Sequence, residues 1–581
     1  MIKRIPDKLI SKDLLSLTFR RLVIATSIEQ LTLSVTGIVD CAVVGQFIGS
    51  NGLSGMQLAM PIFFLYAVIS QIFSSGLTVI LSKDLSLGQK EKAQKTFSYI
   101  YTSTLLIGLV FLLIGAISPQ IVLMAIAGKT DLAVKKQALA YLIPILIGAP
   151  IILLYDIIVA VIILEGQEAQ LVKSVTALIV TDIIADFIAA FTHMGLLGIA
   201  IASALAYGAA LIVLLKPFIK HELMLQLQLM SVKIKYVLPV VLTGLPLGIK
   251  FFCSLIVPIF TNRMMLMYGS IAGLAALSVQ DAIHYLPNAV CLGIATTVLL
   301  VSGILSGEQD HRAIEDGKRI VLRWGFLNCT LMAIVLALLS PLLIRLFTSE
   351  KEIYHLGVSA LRWYLLCVPF SAVNQATAAY LQGIGKSRLS SIHIIFNSLI
   401  LPIIMTYLLA SQFHVTGIYA SFAAIQIAMV FISIYMAQKY EIEDTSSTFK
   451  VDQSMLIETL DDAINASRSV DDLCRSLSVP GNKAHALALC VEELAINTVE
   501  HGFTKDNKHH HLEMRIIISD DYLILRLRDD CKKFNLKERY DMLNPDDIGS
   551  NLGLRIVFGL ADQINYSSAI NLNNVCIQIS L

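Results

Sequence analysis

Between residues 22 and 438 long apolar runs alternate with short charged or Gly/Pro-marked breaks. The runs fall at about 22–46, 57–82, 98–126, 138–164, 171–191, 195–215, 236–267, 277–303, 320–347, 356–382, 389–410 and 415–438. As helices, all are long enough to cross about 30 Å of hydrocarbon. The rhythm changes after residue 439. "YEIEDTSSTFKVDQS" reads as a polar linker, "MLIETLDDAINASRSVDDLCRSL" carries a helical pattern, and "VPGNKAHALALCVEELAINTVEHGF" predicts a second helix with Pro480 near its start and Gly502 at its end. "LEMRIIIS" and "YLILRLRD", joined by "DD", predict a hairpin, followed by a helix in "LGLRIVFGLADQI" and a strand in "NVCIQISL". The expected architecture is an all-α membrane domain of twelve transmembrane helices in two six-helix lobes, plus a C-terminal α/β sandwich with a mixed sheet and helices on one face. The expected divisions are an N-terminal segment 1–21, lobes at 22–217 and 236–438 joined by a linker 218–235, a second linker 439–453 and a tail domain 454–581.

Composition supports this division. The 581 residues are 56% hydrophobic and 15% charged, with mean hydropathy +0.72, against roughly 25% charged in soluble chains. A net charge of +1 suggests no nucleic-acid partner. The nine cysteines form no CxxC pair, so neither a disulfide framework nor a zinc site is expected. The start, "MIKRIPDKLISKDLLSLTFRR", is basic and leads into a segment of full spanning length with no small-residue cleavage site, so no cleavable signal peptide is expected. Basic residues cluster before span 1 and between spans 2 and 3, 6 and 7, and 8 and 9; the positive-inside rule puts both ends of the membrane domain, and hence the tail, in the cytoplasm.

The two halves repeat. "GSNGLSGM" resembles "GSIAGLAAL", "SLGQKEKA" parallels "SGEQDHRA", "LEGQEAQLVKS" parallels "LQGIGKSRLSS" and "GIAIAS" parallels "GIYASF", in one order at an offset of about 220 residues. Six spans return the chain to its starting side, so the repeats are parallel and can rock about a central cavity, an alternating-access design. A duplicated scaffold without transport is the competing reading.

"GIVDCAVVGQFIGSNGLSGM", "DIIADFIAAFTHMGLLGIAIAS", "GLPLGIKFF" and "AAYLQGIGKSRLS" together resemble the multidrug and toxic compound extrusion (MATE) family over about residues 15–440. The resemblance implies export of drug-like, often cationic, compounds against entry of protons or sodium, from a bacterial cytoplasmic membrane. Charged groups in the spans are costly there, so each needs a wet cavity, a partner or a bound proton. Asp40 lies in span 1; Asp182 and Asp186 are four apart in span 5, share a helix face, and repel unless a proton is held between them. Asp40 and Asp186 match acids of the family, whereas Asp182 stands where the family often has Asn. Sodium also suits such oxygens. Span 7 has no acid near "KFFCSLIV", and Asn397 and Leu401 replace the span-5 acids in the second half, which favours coupling in the first lobe. Asp281 and His284, three apart in span 8, are a further candidate pair for substrate or proton, and Asp156 and Lys250 are further intramembrane candidates.

In the tail, Glu493 and Asn497 share a face, with His501 four residues on; "LRDDCKKFN" and "GSNLGLRIV" follow in order. These boxes resemble the GHKL ATPase superfamily, and most closely its anti-sigma-factor serine-kinase branch. Carried across, Glu493 is the general base, Asn497 the Mg²⁺ ligand, Asp529 the reader of adenine, and Gly549 and Gly553 line the ATP phosphates. Cys531 and Asn551 replace glycines of the pattern and Lys533 a proline, which puts ATP binding and serine/threonine kinase activity in question. "HHH" at 509–511 reads as a solvated loop with no acidic or Cys partner in spacing. No GxxxxGK[ST] loop is present, so the tail is expected to regulate rather than drive export, and by analogy its partner resembles an anti-sigma antagonist. Two other readings stay open: a signalling protein whose helices sense a ligand, and a flippase for a lipid-linked precursor.

Overall fold

The computed structural model describes residues 11–48, 50–127, 132–268, 271–308, 311–345, 351–439, 451–503, 510–519, 521–543, 552–570 and 572–581. The first lobe contains α1 (Ser11–Phe47), α2 (Ser50–Ser86), α3 (Lys90–Ile117), α4 (Pro119–Ala127), α5 (Leu132–Leu164), α6 (Glu168–Phe191) and α7 (Gly195–Ile219). The second contains α8 (Ile234–Tyr268), α9 (Ile271–Gly307), α10 (His311–Arg345), α11 (Lys351–Gly383), α12 (Ser387–Ile395) and α13 (Leu401–Lys439), with a π turn at Phe396–Ile400 between the last two.

Ten helical stretches among the described residues are long and apolar enough to cross a membrane. The last, Ser387–Met436, is two crossings, because the backbone leaves helical geometry at His414 (φ 53, ψ −130). With α1, 37 residues long, the twelve expected crossings are accounted for. The third span is broken: α3 stops at Ile117 and α4 restarts at Pro119, whose ring cannot continue the preceding helix. The repeat is visible in the backbone. Gly166 and Gly385 both take positive φ (74 and 81) after α5 and α11, and in each case the next amide reaches back five residues (Gln167 to Ile162, 2.9 Å; Lys386 to Leu381, 2.8 Å). His193 and His414 likewise share φ 53 at equivalent helix breaks.

The lobes meet along α1, α2, α8 and α9. Glycines let the backbones touch: a β-carbon on Gly76 would run into the Val240 carbonyl, and one on Gly244 into the Ile72 carbonyl. Gly303 and Gly307 face Ser82 and Ser86 in the same way, and Thr26 donates to the Gly293 carbonyl at 2.9 Å. These contacts lie in the helix halves nearest the α2–α3, α5–α6 and α9–α10 connections, so the bundle is closed at that end.

The tail comprises β1 (Val451–Ile457), α14 (Leu460–Ser476), α15 (Gly481–Asn497) continued by a π turn (Thr498–Gly502), β2 (Leu512–Ile518), β3 (Tyr522–Asp529), α16 (Leu536–Asp541), α17 (Leu552–Leu560), β4 (Gln563–Ala569) and β5 (Leu572–Ser580). The sheet order is β1-β2-β3-β5-β4, and every pairing is antiparallel, not mixed as expected. The hairpin β2–β3 stands as predicted. β1 and β4 were not predicted: β1 takes residues 451–453 from the expected linker and 455–457 from the expected helix, and β4 begins inside the expected last helix. Their alternation is hidden among polar residues, and pairing with β2 and β5 decides them. A Thr459–Asp462 capping box then starts α14. Leu512, Met514, Ile516 and Ile518 point to the core under α14, α15 and α17, but β2 is buried at all seven positions. Its other face, with Glu513 and Arg515 beside Arg526 and Arg528 of β3, is covered as well.

Gly244→Ala is expected to force α2 and α8 apart at a cost of about 1–3 kcal/mol. A lowered thermal midpoint of the purified protein in detergent checks this; an unchanged midpoint contradicts the seam.

Candidate functional site

Three acids converge in the first lobe. α1 carries Asp40 and α6 carries Asp182 and Asp186; their relative exposures are 7%, 3% and 0%, and one oxygen from each lies within 4.8 Å of the others. Neither Asp186 oxygen, nor Oδ1 of Asp40, has a hydrogen-bond partner among the described residues. Carboxylates this close and this dry are compatible with one another only when a proton or cation sits among them. The four-residue spacing sets Asp182 and Asp186 on one face, and only tertiary packing of α1 on α6 brings Asp40 to them.

A separate cavity of about 380 Å³ lies between the lobes. Its polar lining includes Glu29, Asp156 and Tyr207, and its walls include the rings of Phe63, Tyr66 and Phe251. Tyr207 lines the cavity, near enough to Glu29 and Asp156 and to Asp40 and Asp182 for all four carboxylates to act on its hydroxyl. Sequence reading named Asp156 but missed Glu29; an acid in the middle of an apolar run was the available signal. Among the described residues the second lobe offers no counterpart triad. Lys250 donates to Gln375 at 2.7 Å, and a small pocket there is lined by Lys250, Asn374, His393 and Asn397, the last in the π turn. Asp281 and His284 lie within electrostatic reach of each other, and His284 Nδ1 is 2.9 Å from the Asp281 backbone carbonyl. Neither residue lines the inter-lobe cavity.

In the tail, α15 presents Glu493, half-buried, and Asn497, exposed. Gly553 at the start of α17 lies directly against the Glu493 carboxylate, where any β-carbon would collide with Oε2. Asp529 ends β3, buried. Its Oδ1 accepts from Asn573 Nδ2 at 2.8 Å and from the Cys531 amide at 2.9 Å. Asn573 also donates to the carbonyls of Cys531 and Lys532, and Tyr566 Oη donates to Asn573 at 2.8 Å, so two residues unread in the sequence shape the second box. Burial pushes the Asp529 carboxyl above its usual range, against these hydrogen bonds. Gly549 and Asn551 lie outside the described residues. The donor set fits a magnesium nucleotide: an exposed amide oxygen at Asn497, a carboxylate one turn away, and a buried acceptor at Asp529. His510 is not merely in a solvated loop. Its Nδ1 lies 3.3 Å from Asp530, with Cys531 adjoining, partners that chain spacing conceals.

Two sequence-family profiles match the chain. That of MatE covers residues 25–188 and again 246–408, and that of the histidine kinase-like ATPase domain covers 457–579. The chain is similar to the multidrug export protein MepA of Staphylococcus aureus (strain MSSA476), 21% identical over 394 residues, covering 66% of this chain and 85% of that protein. It is also similar to MepA of Staphylococcus haemolyticus (strain JCSC1435), 19% identical over 434 residues, covering 73% and 92%. It shares its fold with an outward-facing multidrug resistance MATE family transporter of the MOP superfamily (TM-score 0.68, 19% identity) and with a MOP superfamily transporter from Pyrococcus furiosus Vc1 (DSM3638), described as having a binding pocket of reverse polarity (TM-score 0.67, 20% identity). Each likeness covers 73% of this chain and 95% of the other.

Because the folded state holds Asp529 with a raised pKa, its ionisation at neutral pH opposes folding, and stability rises as pH falls toward the ordinary carboxylate range. Asp529→Asn is therefore expected to raise the tail's melting temperature at pH 7.5, with the difference shrinking as pH is lowered. A difference that grows on acidification contradicts this.

Proposed function

Because this chain belongs to the MatE family, with two lobes of that family followed by a histidine kinase-like ATPase domain, we propose that it exports organic cations in exchange for protons or sodium and that its tail is a nucleotide-binding regulator. The observation that carries the transport half is the enclosed Asp40–Asp182–Asp186 cluster, in which Asp186 faces the Asp40 carboxyl and meets no N–H or hydroxyl donor among the described residues. A proton or sodium ion entering there neutralises charge that is otherwise costly in a low-dielectric interior. The inter-lobe cavity suits a cargo that is apolar and positive: aromatic rings attract a cation face-on, and Glu29 and Asp156 supply the counter-charge. A positive cargo in the cavity and a cation at the triad repel each other, so each disfavours the other. Alternating closure of the lobes then exchanges one cation for the other across the membrane. The acids also weigh against a lipid-linked pyrophosphate-type cargo, which would want a basic cavity.

The basic residues Lys90, Lys92, Lys216, Lys220, Lys233 and Lys235 lie at the end of the bundle that carries the tail, and the positive-inside rule makes that end cytoplasmic. ATP is available there. Asn497 would hold a magnesium ion, Glu493 would orient or deprotonate an attacking hydroxyl, and Asp529 would accept from the adenine amino group. Phosphoryl transfer to a small protein resembling an anti-sigma antagonist is the finer form of this reading.

In inverted or reconstituted vesicles, an imposed proton or sodium gradient is expected to drive uptake of a cationic dye, and Asp186→Asn to abolish the gradient-driven part while insertion stays normal. Unchanged uptake removes the triad from the mechanism. Gly553→Ala, which displaces Glu493, is expected to weaken Mg·ATP binding about tenfold by calorimetry on the full chain, matching an overpacking penalty near 1.4 kcal/mol; equal affinity contradicts the assignment of the phosphate side.

A further inference from the structure

The polar face of the tail's sheet is buried against the closed end of the bundle, and its contacts fall on both lobes. On the first lobe, Lys533 donates to Glu165 at 3.0 Å, the Ile570 amide donates to the Leu164 carbonyl at 3.1 Å, and the Tyr566 carbonyl abuts Gly88 at the α2–α3 turn. On the second, Glu308 at the end of α9 receives Arg528 at 2.7 Å and Ser567 at 3.3 Å through its carboxylate, and Arg526 at 3.0 Å through its carbonyl. The Arg528 and Glu308 side chains are each 6% exposed, and Glu165 is fully enclosed. Glu165 also accepts the amides of Met224 and Leu225, which lie in the segment joining the lobes.

All the tail groups come from one hydrogen-bonded unit. Arg526 and Arg528 are on β3, Ser567 is on β4, and both strands pair with β5; Lys533 and Ile570 lie on the segments leaving β3 and β4. A sheet cannot stretch, so the tail stays seated only while α9 and the α5–α6 connection keep their present separation. Alternating access requires those ends to part, and parting breaks either the Glu308 set or the Glu165 set. A buried ion pair tolerates removal of one partner poorly, since the remaining charge stays desolvated. The seated tail is therefore incompatible with opening at this end.

We infer that the tail is an autoinhibitory clamp that holds the two lobes together at their cytoplasmic end, and that nucleotide binding releases it. The release step rests on the nucleotide-binding reading above. Asp529 and Lys533 bound one five-residue stretch. The Asp529 oxygen an adenine amino group would need is already occupied by Asn573 and the Cys531 amide, and Lys533 at the other end is anchored on the transporter. Seating adenine must redress this stretch, and with it the Glu165 anchor. Nucleotide and docking thus compete, and linkage requires that undocking variants bind nucleotide more tightly by the same factor, about fivefold or more for ordinary allosteric coupling.

The test uses the full chain in nanodiscs and proteoliposomes, with spin labels on non-natural side chains at positions 91 and 388, both exposed on the cytoplasmic ends of opposite lobes, so that the native cysteines remain. The Glu165→Gln, Glu308→Gln double variant is expected to lengthen the label–label distance distribution and to raise the initial rate of gradient-driven export severalfold. Glu308→Arg should do the same, and adding Arg528→Glu should restore the short distance. Mg·AMP-PNP should lengthen the distance in the wild-type chain and change nothing further in the double variant. Wild-type distances and rates in both the double and the Glu308→Arg variants overturn the clamp. Failure of the wild-type full chain to bind fluorescent TNP-ATP overturns the nucleotide reading and the release step, while the Glu308 variants alone decide whether the clamp exists.

Discussion

Enclosing Asp186 beside Asp40 and Asp182 is the constraint from which the transport account follows. Two of the acids are set a turn apart on α6, and α1 delivers the third against them, in a place where no donor among the described residues meets the Asp186 oxygens. Such a cluster lowers its free energy by taking up a cation and raises it by losing one. A membrane protein that merely needed to hold its helices together would gain more from apolar packing at these positions. The neighbouring cavity carries its own acids, Glu29 and Asp156, and Tyr207 lines it with them. On the proposed reading, two neighbouring acidic sites, one enclosed and the other walled with aromatic rings, let two kinds of cation exclude each other.

The lobe seam complements this. Close approach of α2 to α8 and of α1 and α2 to α9 depends on glycines and small hydroxyl residues, with buried side chains such as Leu77, Val240 and Val298 packed around them, so the closed end is held by contacts that a rigid-body tilt can make or undo as a whole. The tail adds a second restraint of different chemistry at the same end. Its arginines and Lys533 meet Glu308 and Glu165, which sit at the ends of α9 and α5 and so move with different lobes. The polar face of the sheet, unusual in being buried at every position of β2, has its explanation in that docking.

Much of this was legible in the chain. Runs of apolar residues fixed the spans because a helix in lipid satisfies its own backbone and leaves only side-chain polarity as signal. The repeat was legible because turn chemistry recurs, as Gly166 and Gly385 show in their shared left-handed geometry. Asp40, Asp182 and Asp186 were legible because an acid in hydrocarbon is conspicuous. β1 and β4 were not, since "VDQSMLI" and "QINYSSA" acquire strand geometry only from the partners beside them. Asn573, Glu165 and Glu308 were invisible for the same underlying reason as Asp530 beside His510: their roles exist only between segments far apart in sequence.

The most direct test of the central claim, that cargo and coupling ion exclude each other through the first lobe's acids, is the equilibrium affinity of the purified protein for tetraphenylphosphonium across a range of pH and sodium concentration. The account predicts that affinity falls, by up to tenfold per unit decrease in pH or per tenfold rise in sodium for a single exchanged ion, and that Asp186→Asn flattens the dependence. A wild-type affinity independent of both pH and sodium would contradict it.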